Sequence, residues 1–143
     1  MRQIIFFVIG FAASADPNCN LPVRVENANE LAVAVQEVAP QCNTTVTVVV
    51  AASLLSLTSA LVVNDGTSVL IRGATGAETL VASSHTNLFV VKKGGRLSLH
   101  DLTLSNGTTV RSGGCIEAIG ATVAAVRTRF NQCRSDQVRE FPP

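Results

Sequence analysis

Short apolar strands recur along this chain at a nearly constant interval, which limits its possible folds more than any other feature. Val69-Leu70-Ile71 aligns with Leu97-Ser98-Leu99 and then with Val123-Ala124-Ala125, at intervals of 28 and 26 residues. Val46 and Val48 stand 23 residues before Val69 and Ile71, and Leu104-Ser105-Asn106 matches Phe130-Asn131-Gln132, again 26 apart. Self-similarity at such a period is the mark of a solenoid, in which one repeat cannot bury its apolar face and relies on the next. Alternation within the strands puts Val69, Ile71, Leu97, Leu99, Val123 and Ala125 on one side, where they would stack in columns. The pairs Gly94-Gly95 and Gly113-Gly114 fall where the chain must turn without a Cβ. An all-β solenoid is expected over residues 46–135, with an ordinary β-sandwich of evenly spaced strands as the alternative.

Composition agrees with one such domain. A chain of 143 residues with 47% apolar content can build a single core. It has six Phe and neither Trp nor Tyr, so that core must be aliphatic, which suits stacked β packing. Charged residues are 15% and the formal net charge is +1, so there is no field to steer the chain to nucleic acid, and no nucleic-acid partner is expected.

The N-terminus reads as a signal peptide over residues 1–15. Arg2 precedes an apolar run from Ile4 to Ala13, and Ala13-Ser14-Ala15 has the small-x-small form of a cleavage site. Residues 16–45 then carry a short strand and a helix. Val23-Arg24-Val25 alternates like a strand, and Asn27 with Glu30 three residues on has capping-box spacing. Leu31, Val35 and Val38 form one apolar stripe, which Pro40 should end. The segment 43–64 lacks any charge and is apolar enough over Val46 to Val63 to raise a membrane span. Its β-branched alternation, its Ser and Thr interruptions and its lack of flanking Lys or Arg favour two strands split near Ala51-Ala52-Ser53, so no membrane span is expected in the mature chain.

Export changes how the cysteines are read. Cys19, Cys42, Cys115 and Cys133 are an even set for an oxidising compartment. Of three possible connectivities, Cys19 with Cys42 and Cys115 with Cys133 would each staple one local region and is preferred. There is no CxxC, and His85 and His100 have no ligand-like neighbours, so no metal site is expected. Asn43-Thr44-Thr45 and Asn106-Gly107-Thr108 are candidate glycosylation sites. Lys92-Lys93, the one adjacent cationic pair after residue 15, reads as a solvated turn.

The block Gly95 to Gly107, followed by Gly113-Gly114-Cys115-Ile116 and then Val123 to Asn131, resembles the repeats of right-handed parallel β-helix proteins. The similarity is closest to the polymorphic outer membrane protein type, with its GG-A-I and F-x-x-N motifs. The first motif has Cys115 in place of Ala, and in the second, Phe130-Asn131-Gln132-Cys133, the Asn comes too early. The strand and amphipathic helix that precede Val46 are similar to the helix-capped first coil of the pectate-lyase-like superfamily. The resemblance implies a right-handed parallel β-helix of about three to four coils behind an N-terminal capping α-helix.

Related β-helix folds include lyases, hydrolases and epimerases of acidic polysaccharides. Such chemistry needs a positioned base with cations, or two facing carboxylates. The acids after the helix, Asp65, Glu78, Asp101, Glu117, Asp136 and Glu140, are scattered in sequence. Stacking would bring Asp101 beside Arg127, 26 residues on, as an outer salt bridge. No catalytic residue and no cofactor is therefore assigned. The expected function is a secreted or cell-surface module with a structural, adhesive or binding role, whose partner class is an extracellular polysaccharide or a surface protein. A fragment of a polysaccharide lyase, hydrolase or epimerase is the alternative. No cap follows the third clear repeat, so residues 136–143 read as a truncated tail, and association through an uncapped end is expected.

Overall fold

A computed structural model describes residues 19–83, 86–109 and 114–135. The expected signal peptide over residues 1–15, the expected tail over residues 136–143, His85 and Gly113 lie outside the described residues.

Strand β1 (Val23–Val25) leads into one continuous helical segment, α-helical over Ala28–Val33, π-helical over Ala34–Val38 and 3-10 over Ala39–Gln41. Asn27 caps it, its Oδ1 accepting from the Glu30 N–H at 2.8 Å, while Glu30 Oε1 accepts from the Glu26 N–H at 2.7 Å. The reciprocal bond thus reaches one residue further back than the usual capping box. Two expectations change here. Pro40 does not end the helix but sits in its 3-10 turn, and the π-helical turn before it is where extra width removes the clash of a proline ring with the carbonyl four residues back. The wider turn also rotates the buried stripe, so Leu31, Ala34, Val35 and Ala39 face the core while Val38 is only half-buried.

The segment from Val46 to Val63 is three strands rather than two: β2 (Val46–Val50), β3 (Leu54–Leu57) and β4 (Leu61–Val63). The second break, at Thr58-Ser59-Ala60, is the one that the apolar run conceals. No helix among the described residues is long and apolar enough to cross a membrane.

The same order then recurs. Strands β5 (Ser68–Gly73), β6 (Glu78–Ala82) and β7 (Phe89–Val91) follow, then β8 (Arg96–His100), β9 (Leu102–Ser105), β10 (Thr108–Thr109) and β11 (Ile116–Ala118), and finally β12 (Thr122–Val126), β13 (Arg129–Asn131) and β14 (Arg134–Ser135). The first sheet has the order β12-β8-β5-β2-β1, the second β13-β9-β6-β3, the third β11-β7-β4, and β10 pairs with β14. Every pairing among the described residues is parallel. The chain is therefore mostly parallel β-sheet with one short helical segment, and solenoid-like, because each strand bonds to its counterpart one circuit away rather than to its sequence neighbour.

Register follows the interval of the repeat. Val46 pairs with Val69, Val69 with Leu97 and Leu97 with Val123, and Val48, Ile71, Leu99 and Ala125 form the adjacent column. Leu55, Leu80, Leu104 and Phe130 make a third column in the second sheet. Neighbouring members stand about 4.8 Å apart, the spacing of hydrogen-bonded strands, so their side chains exclude water continuously. In the first two columns Val46, Val69, Leu97, Val48, Ile71 and Leu99 are all buried, whereas Val123 on the last strand is 37% exposed.

The turns stack as well. Gly66, Gly94 and Gly120 all have positive φ and lie above one another, the Gly66 N–H donating to Gly94 O at 3.3 Å and the Gly94 N–H to Gly120 O at 3.0 Å. A Cβ at Gly94 would also collide with the Asp65 carboxylate, so this turn excludes a side chain on two grounds. Cys19 is joined to Cys42, and Cys115 to Cys133. The first bridge ties the segment before β1 to the end of the helix. The second ties the last described turn to the one below it.

Candidate functional site

The densest group of interacting charged side chains is at the corner between the first and second sheets. Strand β8 ends at His100 and β9 begins at Leu102, so Asp101 alone makes the bend, with φ of 58°. One circuit later β12 ends at Val126, and Arg127 makes the equivalent bend with φ of 48°. Since His100 pairs with Val126 and Thr103 with Arg129, the two corner residues are stacked. The Asp101 N–H donates to Val126 O at 3.1 Å, and the Thr128 hydroxyl lies 3.0 Å from the carbonyl oxygens of Leu99 and Val126.

Their side chains meet on the outer surface. Arg127 Nε donates to Asp101 Oδ1 at 2.5 Å and its Nη2 to Oδ2 at 3.2 Å, a two-point contact. The hydrogen bond from Arg127 holds the Asp101 carboxyl below its ordinary range; partial desolvation opposes this, and the charges of Arg127, His100 and Arg72 assist it. The Arg127 guanidinium is raised above its ordinary value, first by the same hydrogen bond. His100 and Arg72 are direct partners in the first sheet, both on its outer face and half-buried. The corner thus gathers one carboxylate, two guanidiniums and an imidazole on the outside of the molecule.

One circuit earlier the corner is built differently. Gly73 ends β5, and residues 74–77 form a wider loop before Glu78 opens β6. Glu78 pairs with Leu102 and points inward, 3% exposed. Its carboxylate accepts from the Thr75 hydroxyl at 2.7 Å and from the backbone N–H groups of Thr75 and Gly76 at 3.0 to 3.1 Å. Burial pushes the Glu78 carboxyl up, but these donors outweigh it and leave it below its ordinary value. A Cβ on Gly73 would strike both this carboxylate and the Asp101 carbonyl oxygen. Glu78 is therefore a loop anchor, and only its position three residues after Thr75 hints at this in the sequence.

The other singled-out residues are dispersed. Glu117 lies on β11 in the third sheet beside Val90, on a different face from Asp101. Lys92 and Lys93 are exposed in the turn closed by the Gly95 N–H donating to Lys92 O at 2.8 Å. Asn43 is exposed between Cys42 and β2, and Asn106 is exposed at a second left-handed corner, φ 65°, where its N–H donates to Asn131 O at 3.0 Å. Asn87, which sequence reasoning passed over, is buried and donates its side-chain amide to Gly114 O, tying the third-sheet turn across two circuits. Among the described residues no three His, Cys, Asp or Glu side chains group as metal ligands would.

No protein-family model, curated protein or solved structure matches the chain. The charged corner offers an exposed, hydrogen-bonded ion pair flanked by Arg72 and His100. Asp101 stands at the corner between the first and second sheets and Glu117 on the third, so these two carboxylates do not face each other.

Proposed function

We propose that the chain is a secreted or cell-surface module with a structural, adhesive or binding role, folded as a right-handed parallel β-helix of about three to four coils behind a capping helix. The observation that carries this is the division of side chains. Inner positions of the three sheets hold mainly Val, Leu, Ile and Phe, with the smaller Gly73, Ala82 and Ala125 and the anchored Glu78, while Arg72, His100, Asp101 and Arg127 lie outside. An interior filled in this way supports a rigid outer surface, and solenoid faces serve as extended contact surfaces. Two disulfides and the signal-like residues 1–15 favour an extracellular location. The GG-A-I-like and F-x-x-N-like segments favour membership of the pectate-lyase-like β-helix group, with an extracellular polysaccharide or surface protein as partner. Asn43 and Asn106, both on exposed turns, are the proposed glycan acceptors.

Expression of the full chain in a secreting eukaryotic host tests this. The expected product is in the medium, begins at Asp16, contains no free thiol, carries glycan at Asn43 and Asn106, and is retained on insoluble polysaccharide or on cell surfaces without releasing fragments. Retention inside the cell with residues 1–15 intact would contradict the secreted reading. Release of new reducing ends or unsaturated sugars would instead establish the polysaccharide-enzyme alternative.

A further inference from the structure

Charge is unevenly distributed around the stack of circuits. Alternation in the first sheet turns Ser68, Leu70 and Arg72 of β5 and Arg96, Ser98 and His100 of β8 outward, opposite the buried Val69, Ile71, Leu97 and Leu99. Their register makes three outer columns, Ser68 with Arg96, Leu70 with Ser98, and Arg72 with His100. Strands β2 and β12 extend these columns with Thr47, Val49, Thr122, Ala124 and Val126, and β1 adds Arg24 beside Val49. No carboxylate stands in any of the three. Glu30 and Glu37 belong to the helical segment, Glu117 to the third sheet, and Glu78 points inward. Arg24 and Arg127 have acidic partners in Glu26 and Asp101, whereas Arg72 and Arg96 make no ion pair among the described residues.

We infer that this face receives an extended acidic peptide segment of a partner protein, one carboxylate bound by Arg72 and a second by Arg96. The inference rests on the binding-module reading above and names the partner's chemistry. Arg96 lies four residues before His100, the strand partner of Arg72. With about 3.3 Å per strand residue and about 4.8 Å between strands, Arg72 and Arg96 stand about 14 Å apart. An extended peptide covers that distance in about four residues, and positions i and i+4 point the same way. Position i+2 then falls over the middle column, where half-buried Leu70 offers an apolar contact. The recognised pattern is therefore acid-x-apolar-x-acid. A guanidinium fork fits a carboxylate at two points, and the Asp101 carboxylate at the adjoining corner is already engaged by Arg127, which leaves Arg72 to an incoming acid. Five strands give a face of about 20 Å by 16 Å, under half of what each partner contributes to a standard protein interface, so one slender segment fits it better than a folded surface. No Phe stands in the outer columns to stack on a sugar ring, which favours a peptide over a glycan. Because the face runs along the side of the stack, further circuits would lengthen it instead of covering it.

Fluorescence anisotropy of a labelled Ser-Glu-Ser-Leu-Ser-Glu-Ser peptide, titrated with the purified full chain at low ionic strength, decides the matter. The expected result is saturable binding that weakens as salt is added and disappears when both Glu of the peptide become Gln. Arg72→Gln and Arg96→Gln should each weaken it about fivefold, as for an exposed ion pair, with unchanged melting curves, while Lys93→Gln, in a turn outside the face, leaves it intact. If either Gln variant melts early, Arg72→Lys and Arg96→Lys serve instead, keeping the charge but losing the fork. Absence of binding overturns the inference. Equal binding of a peptide with its acids three residues apart overturns it too, as does a loss with Lys93→Gln as large as with Arg72→Gln. Polygalacturonate that binds more tightly than the peptide, and loses that binding in both Arg variants, would assign the face to a glycan and contradict the inference. Failure of secretion or of surface retention would sink the proposed function without altering these titrations.

Discussion

Asp101 and Arg127 occupy the same corner one circuit apart, both in the left-handed region, and are joined through two hydrogen bonds. The stacking itself accounts for the contact, since a residue that makes a corner alone has its counterpart directly above it. Because the pair is exposed, its contribution is local and screened by salt. Removing the Asp101 side chain should therefore matter less than the backbone that its replacement must adopt. Asp101→Gly, free to take positive φ, is expected to melt above Asp101→Ala in the same buffer. The reverse order in differential scanning calorimetry would mean that the left-handed backbone at this corner costs alanine less than the added chain freedom costs glycine, so that the bend does not set the difference.

Glu78 should behave otherwise, because it is buried and holds a loop. Glu78→Ala leaves the Thr75 and Gly76 N–H groups without their acceptor, and a loss of about 1 to 3 kcal/mol is expected by urea denaturation. A loss no larger than that of an exposed surface substitution would show that water replaces the carboxylate.

Both carboxyls also set a pH dependence. Each has a folded-state value below its unfolded one, so each stabilises the fold above the ordinary carboxylate range and loses that contribution as pH falls through the folded value. Stability should thus decline on acidification below that range, and Glu78→Gln should flatten part of the decline. A variant with an unaltered acid limb would remove Glu78 from this account.

The bridge between Cys115 and Cys133 spans 18 residues and should contribute about 3 kcal/mol through the unfolded chain. It also ties down the circuit whose inner columns are open. Replacing both cysteines by Ser should raise amide exchange in β12 and β13 more than in β2 and β5. Uniform loosening would argue that the bridge acts on the whole fold instead.

Much of this architecture was legible because a solenoid writes its long-range pairing into the sequence as an interval. Val69, Leu97 and Val123 could be aligned by eye, and the strand register follows from that alignment alone. The stack of Asp101 and Arg127 came with it. Less was visible where the local rule changes from one circuit to the next. Leu61–Val63 was hidden because its neighbours are equally apolar, leaving no turn signal beyond Thr58-Ser59-Ala60. The column Gly66, Gly94 and Gly120 was missed because only one member belongs to a Gly pair. Glu78 was unreadable as an inner residue, since a charge in an apolar column becomes tolerable only through donors from a loop that the other circuits lack. Conversely, Cys115 and Cys133 fall where the resembled motifs would hold Ala and Asn, and the structure joins these two departures to each other. The charged corner could be located from sequence, but not a function for it, because pairing fixes position and says nothing of a ligand.

The column from Val46 through Val69 and Leu97 to Val123 carries the whole account, and methyl NOE spectroscopy on the isotopically labelled chain tests it most directly. Cross-peaks are predicted between Val46 and Val69, Val69 and Leu97, and Leu97 and Val123, with none that skips a member. Cross-peaks that place Leu97 beside neither Val69 nor Val123, or a helical pattern of amide contacts through residues 46–63, would contradict it.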